Sequence, residues 1–233
     1  MRQVPYYLII GNGRVSRHFQ HYFSLLHIPF ITWHRKKPTE YLSQYTKSAS
    51  HILLLIRDDA IEDFIKNHLS HRTVVHFSGS LVTPLAYGAH PLMTFNDNLY
   101  SLEHYQSIPF ILDHNAPEFG EILPGFPNQH VRLDTALKQK YHALCVLSGN
   151  FSCMLWQKLF SSLEQEFNIP ASIAHGYLQQ QTKNLLENQR TALTGPFVRN
   201  DINTMEKNLA ALYGDPFQEI YKSFINCYQA RTL

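Results

Sequence analysis

The chain has 233 residues, 44% of them hydrophobic and 16% charged, with a formal net charge of +2. That length carries one large domain or two smaller ones with real cores, and so high an apolar share excludes a disordered chain. The small charge gives no basic field for nucleic acid, and no apolar run approaches membrane-spanning length, so neither partner is expected.

The three cysteines, Cys145, Cys153 and Cys227, lack metal-ligand spacing, and no metal is expected. Cys145 and Cys153 share one helical pattern, which suggests buried free thiols in a reducing compartment. Met1 opens a polar stub and then a strand, not a signal peptide, so a cytoplasmic protein is expected.

Tyr6–Ile10 reads as a short buried strand. It runs into Gly11-Asn12-Gly13-Arg14-Val15-Ser16, after which Val15, Phe19, Phe23 and Leu26 recur at helical spacing until Pro29. A strand that ends in a glycine turn before a helix N-terminus suits a pyrophosphate. Gly11 allows the turn, Gly13 lets backbone N–H groups approach the anion, and the helix dipole adds favourable potential. Ser16 stands at the third glycine of the dinucleotide fingerprint. The same turn also joins strands to helices that bind nothing, so its meaning depends on the rest of the chain.

Phe30–Trp33 is the second strand, about twenty residues after the glycines, where the fingerprint places its ribose-reading residue. NAD-binding proteins tend to carry an acidic residue there; this chain has His34-Arg35-Lys36-Lys37. A carboxylate would repel a 2′-phosphate, whereas a guanidinium holds it with two parallel charge-assisted bonds. We read an NADP(H) pocket, with Arg35 first and Lys36 or Lys37 in support, in preference to a solvated basic turn.

Thr39–Ala49 is a short helix and His51–Ile56 a third buried strand, which places Ile56 and Arg57 beside the expected cofactor. Asp58 and Asp59 read as N-caps of the helical run Ala60–Leu69, not as paired acids. Thr73–Phe77 is the fourth strand, with a structural His76. It ends in Ser78-Gly79-Ser80 at the carboxyl edge of the sheet, where open α/β folds bind ligands. A loop with Gly88 leads to His90-Pro91-Leu92, and Ser107–Leu112 gives one more strand. Pro117–Asn128, with three prolines and two glycines, reads as a connection.

Beyond it the pattern is helical only. Thr135–Phe167 reads as one long helix with Leu144, Leu147, Phe151, Leu155, Leu159 and Leu163 along a face. Ala174–Asn188, Ile202–Tyr213 capped by Asp201, and Pro216–Gln229 follow. The expected fold class is α/β, a doubly wound, mainly parallel sheet in residues 1–130, followed by an all-α domain in residues 131–233.

Ala192-Leu193-Thr194-Gly195-Pro196-Phe197-Val198-Arg199-Asn200-Asp201 is similar to the Leu-Thr-Gly-Pro-x-x-Arg-x-Asp signature of a family of NADP oxidoreductase-like proteins. These have a Rossmann-like N-terminal half and a helical half long classed as a domain of unknown function. His90-Pro91-Leu92, Tyr141-His142 and Ser148-Gly149-Asn150-Phe151 also resemble family positions, and the resemblance covers nearly the whole chain. Wider relatives are pyrroline-carboxylate reductase, ketopantoate reductase, prephenate dehydrogenase and the β-hydroxyacid dehydrogenases. The resemblance implies a helical domain of the 6-phosphogluconate dehydrogenase C-terminal-like type, a homodimer through those helices, and a small-molecule substrate. The chain departs from the family at Ser16, where Gly or Ala is commoner, and at Arg57, where proline often precedes Asp-Asp.

Hydride transfer at carbon needs a group that moves the proton on the adjacent oxygen or nitrogen, and a pKa near the working pH favours histidine. Of fourteen histidines, His18, His21, His27, His68 and His71 lie on helix faces or turns with no partner suggested by sequence. His90 resembles the histidine of the Gly-His-Pro-Met segment of prephenate dehydrogenases, which binds the reacting hydroxyl and is oriented by a serine. The matching pair here is His90 and Ser78; the other reading is a turn-shaping His-Pro and a serine that caps a backbone group. Asn150 resembles the Asn on the first C-terminal helix of hydroxyacid dehydrogenases, whose Lys four residues earlier is Val146 here. His142, two helical turns before Asn150, is the candidate substitute. For both, the other reading is a helix–helix hydrogen bond in a dimer interface. Arg199 either holds a substrate carboxylate or pairs with Asp201.

The sequence thus leads to an oxidoreductase that moves hydride between NADP(H) and a small carbonyl, imine or hydroxy acid. The cofactor is expected over Gly11, Asn12, Gly13, Arg14, Val15, Arg35, Lys36, Ile56, Arg57 and Ser78, with His90, Ser78, Asn150 and His142 as catalytic candidates. The alternative is an NADP-binding sensor or interaction protein without turnover.

Overall fold

The computed structural model describes residues 6–69 and 73–230, so Met1 and His71 lie outside it. Strand β1 (Tyr7–Ile10) is buried along its whole length, as its four apolar side chains require. It is followed by α1 (Arg14–Leu25), β2 (Phe30–Trp33), α2 (Thr39–Ser48), β3 (His51–Leu54), α3 (Asp58–His68), β4 (Thr73–His76) and β5 (Tyr87–Pro91). Then come α4 (Leu102–Ser107), β6 (Phe110–Asp113), α5 (Phe119–Ile122) and β7 (His130–Leu133).

The strands form one sheet in the order β2-β1-β3-β4-β5-β6-β7. β1 to β5 are parallel; β6 pairs antiparallel with β5, and β7 pairs parallel with β6. The period-2 alternation of the strands sorts the core into two layers. Tyr7, Ile9, Leu53 and Val75 pack with Phe19 and Phe23 of α1, and with Phe119 and Ile122 of α5. Leu8, Ile10, Ile52, Leu54 and Val74 pack on the other face with Leu42 of α2 and with Ile61 and Ile65 of α3. Helices therefore cover both faces, and strand order reverses at β1, between β2 and β3. This is the doubly wound, Rossmann-like arrangement, with its ligand crevice at the carboxyl ends of β1 and β3.

Two strands depart from the sequence reading. The stretch expected to be a loop around Gly88 is β5, and His130–Leu133 adds β7 to the edge of the sheet. Neither has an apolar run that would declare it; each is fixed by pairing with a neighbour. The segment expected as a strand from Ser107 begins with the end of α4, whose N-cap Ser101 accepts a hydrogen bond from the His104 backbone N–H. The Pro117–Asn128 connection contains α5 and buries Phe119, Ile122, Leu123 and Phe126 in the core. Asn128 is buried too: its amide donates to the carbonyls of Tyr105 (2.7 Å) and Ile108 (2.9 Å).

After β7 the chain is helical. A 3-10 turn (Thr135–Leu137) leads into α6 (Lys138–Val146), and one wide π turn (Leu147–Phe151) separates α6 from α7 (Ser152–Gln165). The single long helix expected there is thus interrupted. Of its apolar row, Leu144, Leu147, Phe151 and Leu155 are exposed. Cys153 and Cys227 are exposed and Cys145 partly so, which corrects the expectation of buried thiols; all three are free.

The chain divides into two compact units, Met1–Met154 and Leu155–Leu233. In the second, α8 (His175–Glu187), α9 (Ile202–Ala211) and α10 (Phe217–Gln229) accompany the rest of α7. Trp156 packs edge-on against Tyr177, Phe197 meets Tyr221 and Tyr228, and Lys158 pairs with Asp215 at 2.5 Å. Asp201 caps α9 as expected, accepting from the Thr204 backbone N–H at 3.0 Å.

Candidate active site

The glycine turn after β1 is built tightly. Gly11 has φ +133°, and a Cβ there would lie 2.2 Å from the Leu55 carbonyl oxygen, so only glycine fits between β1 and β3. Its N–H donates to the Trp33 carbonyl at 2.9 Å, tying the turn to the end of β2. Ser16 is fully buried and donates from its hydroxyl to the Gly11 carbonyl at 2.9 Å. The departure at the third fingerprint position therefore closes the turn from inside. Gly13 forms the N-cap of α1 with no side-chain cap, no acidic residue stands in the first helical turn, and a Cβ on Gly13 would meet nothing within 4 Å. Free N–H groups, the positive end of a twelve-residue helix and open space together fit an anion such as a pyrophosphate.

Around this turn, Asn12 is exposed and Val15 packs on the core. Arg14 and Arg17 both reach Asp97, at 3.4 and 2.7 Å. Arg35 and Lys36 are exposed just beyond β2. Lys37 turns back instead, donating to the Thr32 carbonyl at 2.7 Å, so of the basic run it is the least free to meet a ligand. Ile56 is partly buried on the other side of β1, while the guanidinium of Arg57 is held by the carboxylate of Asp59. Arg35, Arg57, Asp59, Asp63, Phe64 and His68 line an open pocket of about 440 Å³.

Asp58 and Asp59 are not N-caps. The helix starts earlier than expected, Arg57 is its extended N-cap, and both acids lie in the first turn. Asp59 serves Arg57, and the Asp58 carboxylate accepts from the hydroxyl of Ser78 and, at 3.4 Å, from that of Ser80. Ser78 in turn accepts from the backbone N–H groups of Ser80 (3.2 Å) and Leu81 (2.9 Å). It both caps the turn after β4 and binds an acid.

A second group gathers where α6 meets the ends of β4, β5 and β6. His90 Nδ1 and Tyr141 Oη are 2.9 Å apart, and the His90 ring stands perpendicular to that of His142, with centroids 5.9 Å apart. His142 lies so close to the β4 end that a Cβ on Gly79 would be 2.3 Å from its Cδ2. One turn earlier Lys138, 3% exposed, donates to Asp113, 6% exposed, at 2.5 Å. Asp113 also accepts from the Gly88 N–H at 3.1 Å. Beside this pair sits His76, fully buried and, among the described residues, with no hydrogen bond to either ring nitrogen.

Burial decides the protonation of these groups. It pushes His90 down to about 4, with the neighbouring His142 and Lys138 adding to the effect and Asp58 opposing it. His76 is lowered to about 4 by burial, then by Lys138, against Asp113 and Asp58. Burial also lowers Lys138, though Asp113 opposes it, and raises the Tyr141 hydroxyl, helped by the Cys145 thiol one turn along α6. The imidazoles of His76 and His90 are neutral at neutral pH and Tyr141 keeps its proton.

Of the expected catalytic residues, His90 and His142 come together, and Ser78 lies at the end of the adjoining β4. Asn150 does not join them. It is exposed in the π turn, and its side chain has no hydrogen bond among the described residues. Asp58, Tyr141 and Lys138 were missed as site residues. Tyr141 stands beside His142 in a family-like dipeptide and Asp58 in an acidic pair that reads as N-caps; Lys138 gives no signal beyond being ionisable. His18, for which the sequence suggests no partner, is buried between the Tyr105 hydroxyl (2.9 Å) and the Asn96 carbonyl (2.8 Å). Among the described residues no cluster of His, Cys, Asp or Glu could hold a metal ion, and no helix is long and apolar enough to cross a membrane.

Residues 116–226 match a family described as a domain of unknown function, DUF2520. No curated protein matches the sequence. Among solved structures, a Bacteroides fragilis protein described as a "putative NADP oxidoreductase" is similar with a TM-score of 0.79 at 17% identity, over 97% of this chain and 98% of that one. A Thermotoga maritima protein is similar with a TM-score of 0.67 at 18% identity, covering 96% and 97%. A reductive aminase of Aspergillus terreus, in complex with NADPH and ethyl-5-oxohexanoate, has a TM-score of 0.66 at 13% identity, covering 96% and 94%. These likenesses establish the Rossmann-like fold.

Proposed function

We propose that this chain is an NADP(H)-dependent oxidoreductase acting on a small carbonyl, imine or hydroxy acid. The carrying observation is the uncapped N-terminus of α1 behind the Gly11 turn, with the exposed guanidinium of Arg35 two residues past the neighbouring β2. Gly11, Asn12, Gly13, Arg14 and Val15 lie under the pyrophosphate, and Arg35, with Lys36, takes the 2′-phosphate. Ile56, Arg57 and Ser78 flank the cofactor on its other side. The NADPH complex of the similarly folded reductive aminase supports the choice of cofactor.

The bound nicotinamide supplies or accepts hydride. The chain's own residues handle the proton. His90 Nε2 has no hydrogen bond among the described residues while Nδ1 is occupied by Tyr141, so Nε2 is the atom that exchanges a proton with substrate oxygen or nitrogen. His142 walls the other side of that ring, and Ser78, held by Asp58, orients the substrate. The helical part from residue 131 forms a homodimer, a reading supported by the exposed row Leu144, Leu147, Phe151 and Leu155. The free cysteines support a reducing, cytoplasmic setting.

The test is thermal stabilisation by cofactor. NADPH is expected to raise the melting temperature more than NADH at equal concentration, and Arg35→Glu to abolish the difference. Equal shifts for both cofactors in the unaltered protein would sink the 2′-phosphate assignment.

A further inference from the structure

We propose that Tyr141 is a positioning residue that fixes the tautomer of His90, holding Nδ1 as an acceptor so that Nε2 carries the proton toward the substrate. The inference rests on the reading of His90 as proton carrier. It stands on four placements. The Tyr141 hydroxyl is 2.9 Å from His90 Nδ1, a hydrogen-bond distance, and the two rings meet edge-on with centroids 5.7 Å apart. Tyr141 is not free to drift, because Lys138 one turn earlier is locked to Asp113 in a buried ion pair. His142, the next residue, is seated against Gly79, where no side chain could fit. The helix face made by Lys138, Tyr141, His142 and Cys145 is thereby pressed on the strand ends.

The direction of the bond follows from the donors available. The tyrosine has one proton, and two neighbours compete for it: the imidazole nitrogen of His90 and the sulfur of Cys145. A neutral imidazole nitrogen is a good acceptor, whereas thiol sulfur is weak both as donor and as acceptor. The phenol proton therefore goes to Nδ1, and the remaining ring proton sits on Nε2. When that N–H proton passes to the substrate oxygen or nitrogen, the Tyr141 phenol proton passes to Nδ1 and solvent reprotonates the phenolate, so the ring ends as it began, a neutral histidine. That is the form this buried site favours, since burial holds the ring neutral.

The test needs no substrate. Nitrogen-15 NMR of histidine-labelled protein without cofactor is expected to show His90 as the Nε2–H tautomer at pH 7. Tyr141→Phe keeps the ring and its packing and removes only the hydroxyl. It should lower the Nε2–H to Nδ1–H ratio about five-fold, the worth of one ordinary hydrogen bond. Cys145→Ala should leave the ratio unchanged. A wild-type Nδ1–H tautomer, an unaltered ratio in Tyr141→Phe, or a ratio governed by Cys145 would each overturn the proposal. The reading beneath it fails differently: full NADPH oxidation over a panel of small carbonyls by His90→Ala would remove His90 as proton carrier, whichever tautomer the spectra show.

Discussion

His76→Leu tests the electrostatics of the sheet's carboxyl edge. The ring is 0% exposed and neither nitrogen has a hydrogen bond among the described residues, so the side chain contributes two desolvated polar atoms and no bond there that leucine would lose. Burial holds its pKa at about 4, against an ordinary value of 6.5. In the unfolded chain His76 takes a proton once the pH falls below its ordinary value, while in the fold it does not until about 4. The unfolded state thus binds one more proton across that window. Stability is full above the ordinary value and declines as the pH falls toward 4, by about 1.4 kcal/mol per pH unit for one proton. Between pH 7 and pH 4.5 the His76 share comes to roughly 2 kcal/mol. His90 titrates in the same direction but is present in both proteins and cancels in the comparison. Because the chain has two compact units, a global transition is the wrong readout. In a Trp156→Phe background, Trp33, 7% exposed, reports on the first unit alone in urea unfolding. His76→Leu is expected to be near neutral at pH 7 and more stable than its parent at pH 4.5 by about 2 kcal/mol. Parallel stability curves would refute the reasoning, since they would mean that the ring titrates as it does in water.

Gly11→Ala forces a side chain into φ +133° and onto the Leu55 carbonyl. The same Trp33 urea assay should read a loss of about 2 kcal/mol or more, and the NADPH thermal shift should vanish; a loss below about 0.5 kcal/mol would be against the account of the turn. Lys138→Met leaves the Asp113 carboxylate buried without its cation, and should cost about 3–5 kcal/mol, whereas Lys138→Met/Asp113→Leu should recover most of that. A single variant no worse than the double would show that the pair carries no buried charge.

What could be read from the sequence is what local chemistry encodes. The alternation of Tyr7, Leu8, Ile9 and Ile10 between two cores, the glycine at 11 and the run of helices after residue 135 each depend on neighbours within a few positions. β5 and β7 do not. Tyr87–Pro91 contains a glycine and a proline, and His130–Leu133 is half exposed, so they become strands because β4 and β6 offer free edges to pair with. The polar contacts of the site are longer-range still. Ser78 meets Asp58 across 20 residues, His90 meets Tyr141 across 51, and His18 finds its partners 78 and 87 residues away. No periodicity announces such pairs. Asn150 stands apart from His90 and His142 for a related reason: it lies in the π turn at Leu147–Phe151, which adds a residue to that helical turn and shifts the face on which its residues lie.

Two glycines past β3 have a different purpose from Gly11. Gly79 and Gly88 have no left-handed backbone and no part in a phosphate turn. A Cβ on Gly79 would overlap His142; one on Gly88 would lie 2.3 Å from Asp113 and 2.4 Å from Lys138. They are holes in the strand ends, shaped to receive side chains from α6 and β6. The two kinds of glycine therefore divide the labour. Gly11 brings backbone N–H groups to where an anion would sit. Gly79 and Gly88 let α6 come close enough for Tyr141 to reach His90. In this chain the placement of the proposed proton carrier depends less on the loop that bears His90 than on how closely one helix face can approach the sheet. Widening that gap by a single methyl group at Gly79 would act on His90 through His142 and Tyr141.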